Sequence, residues 1–189
     1  MNLRANLPVY LKKLIWDIKY GVQNRAPYSI PEDVISHLSR LPNDARILEL
    51  GCGRGSLLKG LRRAGWQGQY CGVDISAAAI RVACGIENGP NSSWIVSDIE
   101  SFASNQKWDV IALIESVYYI KIKKVVEVLN RAMRILNPGG YLLLRIHDSS
   151  KHHQYIDAVH RLDARVQHTG PLFLLLPRQS APLTRAAYH

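Results

Sequence analysis

Arg46-Ile47-Leu48-Glu49-Leu50-Gly51-Cys52-Gly53-Arg54-Gly55-Ser56-Leu57-Leu58 decides the fold. A short, mainly apolar run enters three glycines spaced one residue apart, and a helical pattern follows. An apolar run of that length, ended by glycine, reads as a buried strand. The glycines let the backbone turn sharply and come close to a ligand. The helix N-terminus beyond them offers unpaired N–H groups and positive potential.

The same alternation continues toward the C-terminus. Gln69 to Val73 is a second strand, ending at Asp74, and Ser76 caps an alanine-rich helix over 77–84. Trp94-Ile95-Val96 is a third strand before Asp98, and Trp108 to Ile114 a fourth before Glu115. A helix over 123–136 is halted by Asn137-Pro138-Gly139-Gly140, and Tyr141 to Ile146 is a fifth strand before His147. A helix over 150–162 and a hairpin pairing 164–169 with 172–176 complete the pattern. Toward the N-terminus, Pro31 opens a helix to about Arg40, and Pro8 to Tyr20 has helical spacing with lysines interspersed. Strands apolar throughout, alternating with helices, predict a doubly wound parallel sheet covered on both faces. Ligands of such sheets bind beyond the carboxyl ends of the strands, where Glu49/Gly51, Asp74, Asp98, Glu115 and His147 recur.

Composition narrows the function classes. The 189 residues hold no repeat or long linker, which predicts one domain over 1–189. Its parts would be an N-terminal helix and lid over 1–30, a core over 31–177 and a tail over 178–189. Lys and Arg outnumber Asp and Glu by 24 to 15, a formal charge of +9 that favours anionic contacts. Cys52, Cys71 and Cys84 are odd in number and form no C-x-x-C pair, against a disulfide framework or zinc knuckle and in keeping with a cytoplasmic protein. The N-terminus has no signal-peptide pattern, and the apolar run Pro171 to Pro177 is too short to span a bilayer, so no membrane partner is expected. His147 and the pair His152-His153 have no companion acids at ligand spacing, so no metal is expected.

Spacing separates candidate cofactors. A nicotinamide site reads G-x-G-x-x-G to seat a pyrophosphate; here the loop is G-x-G-x-G with Glu49 two residues before it. S-adenosylmethionine carries a carboxylate, an ammonium and a sulfonium but no phosphate. An acid suits its cationic part and backbone donors its carboxylate. Asp74, 19 residues after Gly55, can accept both ribose hydroxyls. Asp98 can accept the exocyclic amine of adenine, with Ile75 and Ile99 covering the ring faces.

ILELGCGRGSLL, GVDIS, SDIE, WDVIALIESVYYI and LNPGGYLLLRI, in that order over roughly Ile30 to Leu176, resemble the motif set of class I S-adenosylmethionine-dependent methyltransferases. The resemblance implies a Rossmann-like, seven-stranded, mostly parallel sheet with an antiparallel final strand in a three-layer α/β/α sandwich. It implies a methionine-cradling loop at Glu49, Gly51, Cys52, Gly53 and Gly55, a ribose acid at Asp74 and adenine contacts at Asp98 and Ile99. It also places Glu115 against the methyl donor. ESVYYI is similar to small-molecule enzymes of the nodulation N-methyltransferase kind. The chain lacks the Asn/Asp-Pro-Pro-aromatic motif of enzymes acting on DNA bases or glutamine, which disfavours a nucleic-acid partner.

Methyl transfer from a sulfonium needs proximity and alignment, and a base only when the nucleophile arrives protonated. Glu115, Tyr118, Tyr119 and His147 are the candidate catalytic groups, with His147 the natural base for a hydroxyl acceptor. Tyr20 and Tyr28 are candidates for a lid, with Arg25 between them, and Trp16 for packing. Lys121, Lys123 and Lys124 would attract an anionic acceptor, although lysines oppose the dipole at a helix N-terminus. The expected activity is transfer to an amine or hydroxyl of a small molecule. An RNA or protein methyltransferase and a non-catalytic partner subunit of the same fold remain the alternatives.

Overall fold

The structure is a computed structural model, in which residues 3–22 and 29–178 are described. The strands are β1 (Arg46–Leu50), β2 (Gln69–Asp74), β3 (Ser92–Val96), β4 (Trp108–Ile114), β5 (Leu136–Arg145), β6 (Ala164–Thr169) and β7 (Leu172–Pro177). They form one seven-stranded sheet in the order β3-β2-β1-β4-β5-β7-β6. The first five are parallel, and β7 runs antiparallel to both β5 and β6. The helices are α1 (Val9–Val22), α2 (Glu32–Leu38), α3 (Ser56–Arg63), α4 (Ala77–Cys84), α5 (Val125–Arg134) and α6 (Ser149–His160). This is the expected Rossmann-like sandwich.

Side chains along β4 alternate between two cores, as the two-residue period of a strand requires. Ile111 and Leu113 pack with Val128 and Leu129 of α5 and with Tyr155 and Val159 of α6. Val110 and Ala112 pack on the other face with Val34 and Leu38 of α2 and the leucines of α3. Leu57, Leu58 and Leu61 are fully buried, which is worth about 2 kcal/mol each. Strand order reverses between β1 and β4, so the crevice of the doubly wound sheet opens above those two strands.

Two expectations need correction. First, β3 is not covered on both faces: it is the sheet edge, with Ile95 39% and Val96 47% exposed. Second, α5 begins after a 3-10 turn over Ile122–Lys124, ends at Arg134, and β5 already starts at Leu136. Asn137-Pro138-Gly139-Gly140 therefore lies inside the strand, where Trp108 pairs with Leu136 and Val110 with Tyr141. Gly139 adopts φ +81°, and Asn137 Nδ2 donates to Asp109 Oδ1 at 2.7 Å, which stabilises this irregularity. α6 is the expected helix, bent at His152 (φ −117°), one turn after Asp148 caps it by accepting from the Lys151 amide.

Candidate functional site

Beyond β1 the chain is stitched to β2. The amides of Gly51 and Cys52 both donate to the Val73 carbonyl, at 2.7 and 3.0 Å. Gly51, Gly53 and Gly55 have φ of 87°, 53° and 75°. At Gly51 a side chain is excluded twice, by that left-handed backbone and because its Cβ would lie 2.5 Å from the Cβ of Ser116. Asp74 Oδ2 accepts from the Gly53 amide and Oδ1 from the Ser76 amide, both at 2.9 Å. Burial raises the Asp74 carboxyl above its ordinary value, opposed by those two amides. Ser76 caps α4 as expected, accepting from the Ala79 amide. The Gly55 amide donates to the Cys52 carbonyl. The amides of Gly51, Cys52, Gly53 and Gly55 thus hold the loop itself, and the cations beside it are side chains. Arg54, whose guanidinium donates to the Tyr20 carbonyl at 2.6 Å, is the nearest such group in the loop.

Glu49 is 2% exposed and accepts from the Tyr70 hydroxyl. Burial pushes its carboxyl up to about 8, so the neutral acid predominates at pH 7. Burial also raises the Cys52 thiol, leaving it without nucleophilic character. Asp98 Oδ1 accepts weakly from the Glu100 amide at 3.3 Å, while Oδ2 is buried with no hydrogen-bond partner among the described residues.

α1 lies over this loop and is tied down at two points. Lys12 Nζ reaches Glu100 Oε1 at 3.0 Å, and both side chains are almost fully buried. The Lys121 amide donates to the same oxygen at 2.9 Å. Asp17 Oδ1 accepts from Ser76 Oγ at 2.7 Å and from the Ala78 amide at 3.0 Å, at the start of α4. Burial would raise the Asp17 carboxyl, but hydrogen bonds from Lys13, Ala78 and Ser76 hold it at about 2. Trp16 stacks on Tyr20 at 5.6 Å and meets the Tyr119 ring edge-on at 5.0 Å. The Tyr20 hydroxyl sits over Gly53, and burial raises its phenol. Trp16 both packs and faces the crevice; Arg25 and Tyr28 lie outside the described residues.

Across the crevice, Glu115 ends β4 with φ +54°, the left-handed region that a side chain enters at a cost of about 1–2 kcal/mol. One carboxylate oxygen pairs with Arg145, and the other accepts from the Tyr118 hydroxyl and, at 3.4 Å, from the His147 amide. Glu115 is therefore engaged rather than free. Tyr118 stacks on His152 at 4.1 Å, and the His147 side chain is exposed.

These groups share one cavity of about 700 Å³. Glu49, Gly51, Cys52, Gly53, Asp74, Ile75, Asp98, Ile99, Glu115, Tyr118, Tyr119 and His147 all line it. Gly55 does not: it closes the loop against Trp94, 2.7 Å from where its Cβ would be. Arg54 of the expected loop lines the cavity too, as do Arg145 and Lys12, which escaped the sequence reading. The one signal for Arg145 is a cation closing the otherwise apolar Leu142-Leu143-Leu144 run. Among the described residues no three His, Cys, Asp or Glu are grouped to hold a metal.

A family model described as a methyltransferase domain matches residues 22–173. Nodulation protein S of Rhizobium tropici is 31% identical over 101 residues, covering 52% of this chain and 42% of that protein. The ubiquinone biosynthesis O-methyltransferase of Serratia proteamaculans is 29% identical over 103 residues, covering 52% of this chain and 41% of that protein. The chain thus spans less than half the length of these curated relatives. The N-methyltransferase NodS of Bradyrhizobium japonicum, solved with S-adenosyl-L-homocysteine, superposes with a TM-score of 0.61 at 19% identity, covering 85% of this chain and 96% of that one. That likeness is one of fold. The family match runs through the glycine loop, the strand-end acids and the crevice they line, and the chain belongs to the methyltransferase-domain family.

Proposed function

We propose that the chain is an S-adenosylmethionine-dependent methyltransferase acting on an amine or hydroxyl of a small-molecule acceptor. The observation that carries this is Asp98 Oδ2, buried without a donor in the wall of a cavity whose floor is the left-handed glycine loop. An unsatisfied buried oxygen costs about 1–3 kcal/mol, and the exocyclic amine of adenine supplies the missing donor. Ile75 and Ile99 cover the ring. Asp74, fixed by the Gly53 and Ser76 amides, keeps lone pairs for the ribose hydroxyls. Arg54 takes the carboxylate, and Glu49 faces the ammonium, giving up its proton as that charge arrives. A volume of about 700 Å³ suits a cofactor with a small acceptor beside it.

When bound, the cofactor supplies a methyl group on a sulfonium with a good leaving thioether. The protein contributes alignment, exclusion of water and a destination for a proton. Helix α1 excludes water as a lid over the core. Trp16, Tyr20 and Tyr119 give the acceptor an aromatic wall. Glu115, paired with Arg145, orients the Tyr118 hydroxyl. His147, exposed at the mouth, accepts the proton of a hydroxyl acceptor. The names of the O- and N-methyltransferase relatives support both acceptor types.

Calorimetric titration with S-adenosylmethionine, with Asp74→Ala and NAD alongside, tests the reading. Micromolar binding that Asp74→Ala removes, with no NAD binding, is expected. A well-folded protein that binds no S-adenosylmethionine would sink it.

A further inference from the structure

α1 is apolar on two sides. One side carries Trp16 and Tyr20 into the crevice. The other carries Tyr10, Leu14 and Ile18, which are 70%, 53% and 54% exposed. Tyr10, Leu14 and Ile18 recur every four residues and form a single stripe pointing away from the protein. An exposed apolar stripe on a helix whose other side already packs marks a contact surface.

A basic turn lies on one flank of α1. Lys12 and Lys124 converge on the same Glu100 carboxylate, at 3.0 and 3.7 Å, so the turn Ile122–Lys124 lies beside α1. That turn adds Ile122, 38% exposed, and Lys123, exposed with no acidic partner among the described residues. Lys13 is exposed on the stripe itself, paired with Asp17. Lys124 is compensated by Glu100, whereas the helix-dipole cost of Lys123 has no acidic compensation among the described residues. The chain as a whole carries +9.

We propose that the outer face of α1 and the Lys121–Lys124 turn dock on an anionic bilayer surface. The short length of the apolar runs excludes a span, not a helix lying in the interface plane. Among the described residues no helix is long and apolar enough to cross, whereas an amphipathic helix rimmed by lysine rests in the headgroup region. A second copy fits less well. Tyr10 to Ile18 is about 12 Å of helix, which offers a few hundred Å² on each copy, short of the roughly 1,200 Å² that a stable interface buries on the two partners together. Because the inner side of α1 walls the crevice, docking sets the mouth of the cavity at the lipid surface. An acceptor with an apolar tail then reaches the site without crossing water. This last step rests on the small-molecule reading above; the docking itself does not.

Vesicle flotation with phosphatidylcholine alone, and with added phosphatidylglycerol, tests the docking. The full chain should float with the phosphatidylglycerol vesicles only and release them at high salt. Leu14→Glu/Ile18→Glu should abolish flotation, and the milder Leu14→Gln/Ile18→Gln should weaken it about tenfold. Lys123→Glu should weaken it at least fivefold, the factor for about 1 kcal/mol per basic residue near the surface. None of these residues lines the cavity, so S-adenosylmethionine binding, measured on the same preparations, should be unchanged and certifies the fold. Protein that binds the cofactor but floats with neither vesicle overturns the docking. So does flotation indifferent to the stripe variants, or a dimer in sedimentation that those variants dissociate. Flotation without cofactor binding leaves the docking standing and removes the methyltransferase reading.

Discussion

Changing Glu49 to glutamine should stabilise the fold at neutral pH and leave it nearly unchanged at pH 5. Glu49 is 2% exposed, accepts from the Tyr70 hydroxyl, and is raised by burial from 4.5 to about 8. Its folded pKa lies above its unfolded one, so the folded state holds the proton more tightly. The stability from that proton is complete below pH 4.5, falls as pH rises, and is gone beyond about pH 8. Each pH unit inside this window costs the wild type about 1.4 kcal/mol, so the loss from pH 5 to pH 7 is about 2.5 kcal/mol. Glutamine has no proton to lose, keeps the shape and still accepts from Tyr70. Thermal unfolding followed by circular dichroism should therefore give similar midpoints at pH 5. At pH 7 the variant should melt about 5–10 °C higher. Curves that stay parallel across the range, to within about 0.5 kcal/mol, would mean that Glu49 is ionised in the fold and refute the argument from burial. A companion measurement is the heat of S-adenosylmethionine binding in buffers of different ionisation enthalpy, which should reveal a proton released by the wild type and not by the variant.

Two further substitutions probe the scaffold. Gly51→Ala should cost about 3 kcal/mol in urea unfolding, summing left-handed strain and overpacking against Ser116; a loss under about 1 kcal/mol would show that Ser116 yields freely. Lys12→Met removes the buried cation of Glu100, leaving it the Lys121 amide and the longer, more exposed Lys124 pair, and should cost about 3 kcal/mol. Adding Glu100→Gln should recover most of that, and a double variant as unstable as the single would place the loss in packing instead.

What could be read from the sequence and what could not divides by distance along the chain. β1, the glycine loop and the strand-end acids were legible because an apolar strand, its glycines and its terminal carboxylate are neighbours in sequence. The Ser76 cap was legible for the same reason. The Glu115–Arg145 pair joins positions 30 apart, and Lys12–Glu100 joins positions 88 apart. No local pattern announces either. The neutral state of Glu49 comes from its burial in the finished sheet and prevails over the Tyr70 hydroxyl of the adjacent strand, whose donation favours the ionised form. Local rules also misplaced the start of β5. Pro138-Gly139-Gly140 does break regular geometry, but the pairing of Leu136 with Trp108 had already begun the strand.

The strand order has a kinetic side. β1 lies between β2, which follows it closely, and β4, which begins at Trp108. Until β4 is available, the β1 edge carrying Ile47 and Leu48 has no neighbour, although both residues are fully buried in the finished sheet. Parallel pairings closed over such long loops form slowly. Folding should thus pass through a half-sheet of β1, β2 and β3 with an open apolar margin, the stage at which association between chains competes with completion.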